Sequence, residues 1–153
     1  MEIVKEKTAC FSGHRDVKPT PLLIAATERA MDLAVSCGVN TFVCGGAAGF
    51  DTIAAMAVIE SREIFGFTRL ILVLPFRKTS GVSREYLHVL DSADEVICLS
   101  DNYYDGCMRA RNAKMIEMSG YLIAHCVPEK LRSSGTGQTI RMAEKAGLKI
   151  SYV

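Results

Sequence analysis

Length, composition and charge already limit what this chain can be. Its 153 residues are 49% apolar and 23% charged, which excludes intrinsic disorder and suits a single domain, 1–153, built around one core. Eighteen lysines and arginines against 17 aspartates and glutamates leave a formal charge of +1, which argues against nucleic acid as a partner.

Apolar runs alternate with helical periodicity along the chain. Strand-like runs at 8–11, 41–44, 70–75, 95–99, 121–127 and 149–153 are separated by helix-like segments at about 21–37, 50–65, 83–92, 104–119 and 136–146. Strands that are apolar throughout, such as 70–74, are typical of a sheet covered by helices on both faces. The alternation predicts an α/β fold, with a doubly wound parallel sheet of about six strands in a three-layer αβα arrangement.

Eight of the 12 glycines fall between the end of a strand and the body of the next helix. In an open parallel sheet these connections meet at the carboxyl ends of the strands, where ligands bind. Glycine lets backbone N–H groups approach an anion there, and each helix N-terminus adds partial positive charge. The alternative is that tight turns need glycine without any ligand, but the number of such loops favours a ligand-binding edge.

The loops after the first two strands contain the first candidate ligand-binding residues: Ser12, Gly13, His14 and Arg15, then Gly45, Gly46, Gly49 and Asp51. Arg15 offers a planar guanidinium suited to phosphate or carboxylate, although Arg15 and His14 fit solvated loop residues equally well. The G-G-x-x-G spacing at 45–49 would let an anion lie on the backbone, but it is neither the dinucleotide fingerprint nor a P-loop. Asp51 either stabilises the start of its helix through the helix dipole, or binds ribose hydroxyls or orders the loop.

The fourth predicted helix carries an arginine where an apolar face is expected. Met108 and Met115 mark that face, and helical spacing places Arg111 and Asn112 on the same stripe. An inward guanidinium needs an anionic partner, either an internal carboxylate or a bound phosphate. The position soon after the fourth strand favours phosphate, with Arg109 on a neighbouring face expected to assist.

The loop before the fifth helix supplies the last candidate ligand-binding residues: Ser134, Gly135, Thr136, Gly137 and Thr139. Its hydroxyls and glycines predict a second anion cradle, or they only cap the helix, with Thr136 as the expected N-cap. His125 lies in an apolar strand and is expected to be a hydrogen-bonded core histidine.

The six cysteines are interpreted as reduced thiols. No pair has C-x-x-C spacing, and four of them lie in apolar strand-like runs, where a thiol behaves as a small hydrophobic side chain. Metal or redox roles are the alternative, and we expect neither a metal site nor a cofactor. No signal-peptide pattern and no run of about 18 apolar residues is present, so we expect a cytoplasmic protein with no membrane partner.

Together these motifs resemble the YspA/YpsA-like branch of the SLOG (Smf/DprA–LOG) superfamily. The similar segments run in order from about residue 8 to 150: Ser12-Gly-His-Arg15, Gly45-Gly-x-x-Gly-x-Asp51, Leu74-Pro-Phe76, Arg111-Asn-x-x-Met115 and Gly135-Thr-Gly137. The resemblance implies a Rossmann-like domain that binds a nucleotide or a nucleotide-derived phosphorylated small ligand, as a sensor or a processing protein. Resemblance to the LOG proteins also favours a homodimer.

The LOG phosphoribohydrolases suggest an alternative activity, hydrolysis of the N-glycosidic bond of a nucleoside 5'-monophosphate. Their M-H-x-R-K-x-x-M motif is similar to residues 108–115 and places Arg111 at their functional arginine. Their catalytic glutamate corresponds to Thr139, and a hydroxyl cannot replace a carboxylate in acid–base catalysis. Asp51 or Glu144 would have to supply the carboxylate, so the sequence favours binding and leaves catalytic residues unassigned.

A nearly neutral chain can still contain a cationic pocket. Six basic residues are expected around the ligand-binding edge, namely Arg15, Arg77, Lys78, Arg84, Arg109 and Arg111. Local positive charge on a chain of near-zero net charge favours a small anion over single-stranded DNA.

Overall fold

The computed structural model describes residues 2–153. Its six strands form one sheet, and they are β1 (Thr8–Gly13), β2 (Thr41–Cys44), β3 (Arg69–Leu74), β4 (Glu95–Cys98), β5 (Tyr121–His125) and β6 (Lys149–Tyr152). The strand order is β4-β3-β2-β1-β5-β6, and every neighbouring pair is parallel. The predicted α/β fold class is therefore confirmed.

Five α-helices connect the strands: α1 (Pro21–Ser36), α2 (Phe50–Ser61), α3 (Arg84–Ser92), α4 (Cys107–Met118) and α5 (Gly135–Ala146). Four predicted boundaries were wrong by two residues or more. β1 extends to Gly13 instead of residue 11, so Ser12 and Gly13 end the strand, and β5 ends at His125 instead of residue 127. α2 ends at Ser61, and the chain continues in turns to residue 67. α4 begins only at Cys107, because Gly106 has a left-handed backbone (φ 90°) that cannot belong to an α-helix.

The sheet is covered on both faces, because successive strand side chains point to opposite sides. On one face Phe11, Phe42 and Leu72 pack with buried residues of α1, α2 and α3. On the other face Cys10 and Ile71 pack with buried residues of α4 and α5. The result is the predicted three-layer arrangement, with three helices on one side and two on the other.

The strand order creates a crevice beside β1. From β1 the chain adds β2, β3 and β4 in one direction, and it then returns to add β5 and β6 on the other side of β1. Where the order reverses, the loops that follow neighbouring strands diverge to opposite faces, and ligands bind in the gap between them. The loops that follow β1, β2 and β5 surround this gap, and they carry most of the predicted ligand-binding residues.

All six cysteines are free thiols, and Cys10, Cys44 and Cys107 are buried. Burial raises the pKa of the Cys10 thiol to about 12, so that thiol is uncharged at neutral pH. Among residues 2–153 no cluster of three or more His, Cys, Asp or Glu side chains is arranged to hold a metal ion. None of the described helices has both the length and the apolar character needed to cross a membrane.

Candidate functional site

Two adjoining cavities open at the carboxyl edge of the sheet. The first, here called the polar cavity, has a volume of about 210 Å³ and lies between the β1 and β2 loops, α4 and the start of α5. The second, here called the apolar cavity, has a volume of about 170 Å³ and lies between the loops after β2 and β3 and the start of α4. Arg15, Ala47, Met108 and Arg111 line both cavities, so the two form one site of the size that small ligands occupy.

Most of the predicted residues come together at this site. Ten of them line the polar cavity: Ser12, Gly13, His14, Arg15, Asp51, Arg111, Asn112, Ser134, Gly135 and Thr136. Gly45 and Gly46 line the apolar cavity. A larger cavity of about 440 Å³ lies between α1, α2 and the start of α3, and Gly49 is the single predicted residue that lines it.

Four predicted residues line neither of the two adjoining cavities. Arg109 is exposed on the outside of α4, and Thr139 is fully buried with its hydroxyl donating to the Gly135 carbonyl (2.9 Å). A Cβ on Gly49 would lie 2.5 Å from the carbonyl oxygens of His14 and Arg15, and one on Gly137 would overlap the Leu131 carbonyl. Gly49, Gly137 and Thr139 therefore shape and pack the loops of the site.

Arg111 is the most buried charge of the site, with 5% of its surface exposed. Its Nη1 donates to the Gly45 carbonyl, and its Nε donates to Oδ1 of Asn112 at 2.8 Å. Within residues 2–153 no carboxylate oxygen lies within 4.0 Å of its guanidinium. Burial lowers the pKa of Arg111 and nearby Asp51 opposes this shift, so the internal carboxylate compensates the charge only from a distance.

Asp51 holds the loop after β2 in place. Its side chain is 7% exposed, and its Oδ2 accepts a hydrogen bond from the Ala47 N–H (3.2 Å). The Thr52 hydroxyl donates to the Ala47 carbonyl (3.1 Å), so both polar groups of Ala47 are bound by the start of α2. Burial raises the pKa of Asp51, and Arg111 partly opposes this shift. The geometry supports loop ordering, while binding of ribose hydroxyls stays a prediction.

His14 joins the β1 loop to the β5 loop. The residue is 7% exposed, and its Nε2 accepts a hydrogen bond from the Val127 N–H (3.1 Å). The neutral ring therefore carries its proton on Nδ1. Burial lowers the pKa of His14, and Lys130 and His125 lower it further. His125 itself is half-buried and hydrogen-bonded to the Val153 carbonyl (2.9 Å), so it lies at the margin of the core.

Because the native state disfavours protonated His14, we expect stability to fall as the pH drops below about 6.5, the ordinary pKa of histidine. The unfolded chain binds a proton in this range and the native chain does not. The test is urea unfolding at pH 7.5 and 5.5, where the loss should be smaller in His14→Asn. An equal loss in both proteins would contradict the assignment. The raised pKa of Asp51 favours the native state as the pH falls, which opposes the effect of His14. Asp51 is present in both the wild type and His14→Asn, so its contribution cancels in the comparison.

Ser134, and not Thr136, is the N-cap of α5, so that prediction was wrong. The Ser134 hydroxyl accepts from the Gly137 N–H at 3.0 Å, three residues ahead, as capping requires. Thr136 lies inside the first turn. Within residues 2–153 the N–H groups of Gly135 and Thr136 donate to no acceptor, so they remain available at the wall of the polar cavity.

Positive charge is concentrated at the site. Of the six basic residues expected there, Arg15, Lys78 and Arg111 line the cavities. The other three, Arg77, Arg84 and Arg109, line neither cavity. Nη2 of Arg77 lies 3.6 Å from Oδ1 of Asp101. Partial burial lowers the pKa of Lys78, and repulsion by Arg15 and Arg111 lowers it further.

Several residues that line the two cavities were not among the predicted ligand-binding residues. Ala47 contributes backbone groups and a small side chain, and a lone alanine gives no sequence signal. The sequence pattern places Met108 only on the apolar face of α4, and Lys78 only in a general cationic cluster.

No family model matches this chain, and the search of curated proteins returned no match. Function is therefore inferred from the residues of the site.

Proposed function

We propose that this protein binds a phosphorylated nucleoside or a nucleotide-derived small ligand in the two adjoining cavities. We further propose that it is a sensor or processing protein of the YspA/YpsA-like branch of the SLOG superfamily. One observation carries the proposal: among residues 2–153, three cations, Arg15, Lys78 and Arg111, line the cavities against a single carboxylate, Asp51. A phosphate monoester carries a charge of about −1.5 to −2 at neutral pH, which would balance this excess.

The polar cavity is suited to the phosphate. Its wall combines the buried Arg111 guanidinium with the N–H groups of Gly135 and Thr136 at the N-terminus of α5. Helix N-termini favour anions through both hydrogen bonding and the helix dipole, and arginine forms strong charge-assisted bonds to phosphate. Arg15 is exposed at the mouth of the cavity, where it would reach the ligand from the solvent side.

The size of the site supports a small ligand over a polymer. The cavities have volumes of about 210 and 170 Å³, and their cations surround one crevice, with Arg111 buried and Arg15 and Lys78 exposed. A nucleic-acid interface would instead need a broad basic surface.

We also propose a homodimer, which rests on the family resemblance. A measurement of the mass of the protein in solution would test it.

Binding of nucleotides is the direct test. At a ligand concentration about 100 times Kd, binding stabilises the native state by about 2.7 kcal/mol, which raises the Tm of a protein this size by roughly 5–10 °C. We expect nucleoside 5'-monophosphates to produce such a shift, the corresponding nucleosides to produce almost none, and inorganic phosphate a smaller one. Equal shifts with nucleosides and nucleotides, or no shift at millimolar nucleotide, would overturn the proposal.

Hydrolysis of the N-glycosidic bond is the second candidate function, and Asp51 is the observation that favours it. Asp51 is the single carboxylate among the described residues that line the cavities, and its raised pKa suits a general acid. Glu144 is exposed on α5 and lines neither cavity. Release of free base and ribose 5-phosphate by the wild type, lost in Asp51→Asn, would favour the hydrolase over a binding protein.

A further inference from the structure

We infer that the apolar cavity selects a nucleobase with a carbonyl oxygen on its ring edge, an oxopurine or a uracil-type pyrimidine, over one with an amino group there. This inference rests on the proposed function, because it assumes that the phosphate lies in the polar cavity and the base in the neighbouring one. It goes further by assigning the class of base and the residue that reads it.

The walls of the apolar cavity fit a flat, largely apolar ring. Leu74, Pro75 and Phe76 at the end of β3 form one side, and Met108 of α4 forms another. The floor is the backbone of Gly45 and Gly46, and a Cβ on Gly46 would lie 2.5 Å from Cδ2 of Leu74. Apolar and aromatic walls with a few polar groups are the usual environment of a bound heterocycle.

Every polar side chain that lines this cavity is a hydrogen-bond donor. These side chains are Arg15, Lys78 and Arg111, and an arginine or a protonated lysine has no acceptor. No carboxylate, amide or hydroxyl side chain among residues 2–153 lines it. A carbonyl oxygen on the base therefore finds partners among the side chains, whereas an amino group finds none.

Three backbone carbonyls at this cavity already accept hydrogen bonds. The Gly45 carbonyl already accepts from Arg111, and the Ala47 carbonyl already accepts from the Thr52 hydroxyl. The Leu74 carbonyl accepts from the Leu99 N–H at 3.0 Å. An amino group held here would lose its bonds to water with no side-chain acceptor to replace them, and sites built around one polar pattern reject the opposite one strongly.

Lys78 is the donor placed to read the base edge. Its Nζ lies 5.0 Å from the centre of the Tyr86 ring, a cation–π contact that holds it beside the cavity. Arg111 uses two of its donors on Gly45 and Asn112, and both Arg111 and Arg15 also line the polar cavity, where they would bind the phosphate. Three donors could also bind a second phosphate group. However, one wall of the apolar cavity is formed by Leu74, Pro75 and Phe76, whose side chains could form no hydrogen bond to such a phosphate.

The test uses two ligand pairs in which the oxo member has a carbonyl and a ring N–H where the amino member has an amino group and an unprotonated ring nitrogen. Binding is measured by isothermal titration calorimetry at fixed ionic strength. We expect inosine 5'-monophosphate to bind at least 10-fold more tightly than adenosine 5'-monophosphate, and uridine 5'-monophosphate more tightly than cytidine 5'-monophosphate. Lys78→Met should weaken binding of the oxo ligands about 10-fold more than binding of the amino ligands, because all four nucleotides lose one positive charge of the site but only the oxo ligands lose a hydrogen-bond donor to the base. Arg77→Met is the matched control, because Arg77 is exposed, lies beside Lys78 and lines neither cavity.

The outcomes separate this inference from the proposed function. Equal binding within each pair, or tighter binding of the amino ligands, would overturn the base preference and leave nucleotide binding standing. If none of the four nucleotides binds, both fail. If inosine 5'-diphosphate binds more than 10-fold more tightly than the monophosphate, and Lys78→Met removes this gain, the apolar cavity holds a second phosphate and the inference is wrong.

Discussion

Replacing Arg111 with alanine is expected to weaken nucleotide binding by about 100-fold, since each hydrogen bond to a charged group contributes about 1.5–3 kcal/mol. Arg111 is the buried cation that lines both cavities. The control is Arg109→Ala, which removes an equal charge from the exposed side of the same helix. Calorimetric titration with a nucleoside monophosphate should show the loss in the first variant alone.

The conservative variant Arg111→Lys helps to distinguish a loss of ligand binding from a loss of folding. It keeps a cation in the buried position but loses the planar guanidinium that contacts both Gly45 and Asn112, so we expect a loss of binding of about 10-fold. Circular dichroism should show that each variant is folded. If Arg111→Ala binds as tightly as the wild type, or if Arg109→Ala loses as much affinity, the phosphate does not lie on Arg111.

Replacing Gly137 with alanine is expected to destabilise the native state by about 3 kcal/mol, at the upper end of the usual cost of overpacking. A Cβ at this position would overlap the backbone carbonyl of Leu131. That carbonyl cannot move freely, because it also accepts from Nη1 of Arg141 at 2.9 Å. The loop that carries the α5 N-cap would therefore have to shift. Urea unfolding measures the loss.

Gly135 supplies the matched control in the same helix. A Cβ there would meet no atom within 4 Å, so Gly135→Ala tests helix propensity without a clash. Alanine is more favourable than glycine in a helix by about 0.5–1 kcal/mol, and we expect this variant to be neutral or slightly stabilised. Equal effects at the two positions would contradict the assigned packing of the loop against α5.

Local patterns were sufficient to predict the fold class. The apolar strands and amphipathic helices alternate regularly, and each pattern extends over enough residues to be unambiguous. Helix ends were harder to place, because they depend on single interactions. The cap of α5 is Ser134 instead of Thr136 because the Ser134 hydroxyl reaches the Gly137 N–H, and either hydroxyl would satisfy the sequence rule.

The loops of the site were predicted better than the side chains within them. The predicted residues at 12–15, Asp51 and Arg111 come together as expected. Thr139 instead donates to the Gly135 carbonyl inside its own helix. Lys78 joins the cavity from the loop after β3. Whether a loop side chain lines a cavity depends on backbone angles and on neighbours from other loops, and a linear pattern carries neither.

The amino-acid sequence by itself determined the strand–helix alternation and the concentration of glycines at one edge of the sheet, because both follow from local residue patterns. Only the tertiary structure decided that β5 lies beside β1. It also decided that Arg15, Lys78 and Arg111 line one site, where Asp51 is the single carboxylate of the described residues. These residues come from four different segments of the chain. Their convergence depends on the order in which the strands pair, which is a property of the whole sheet.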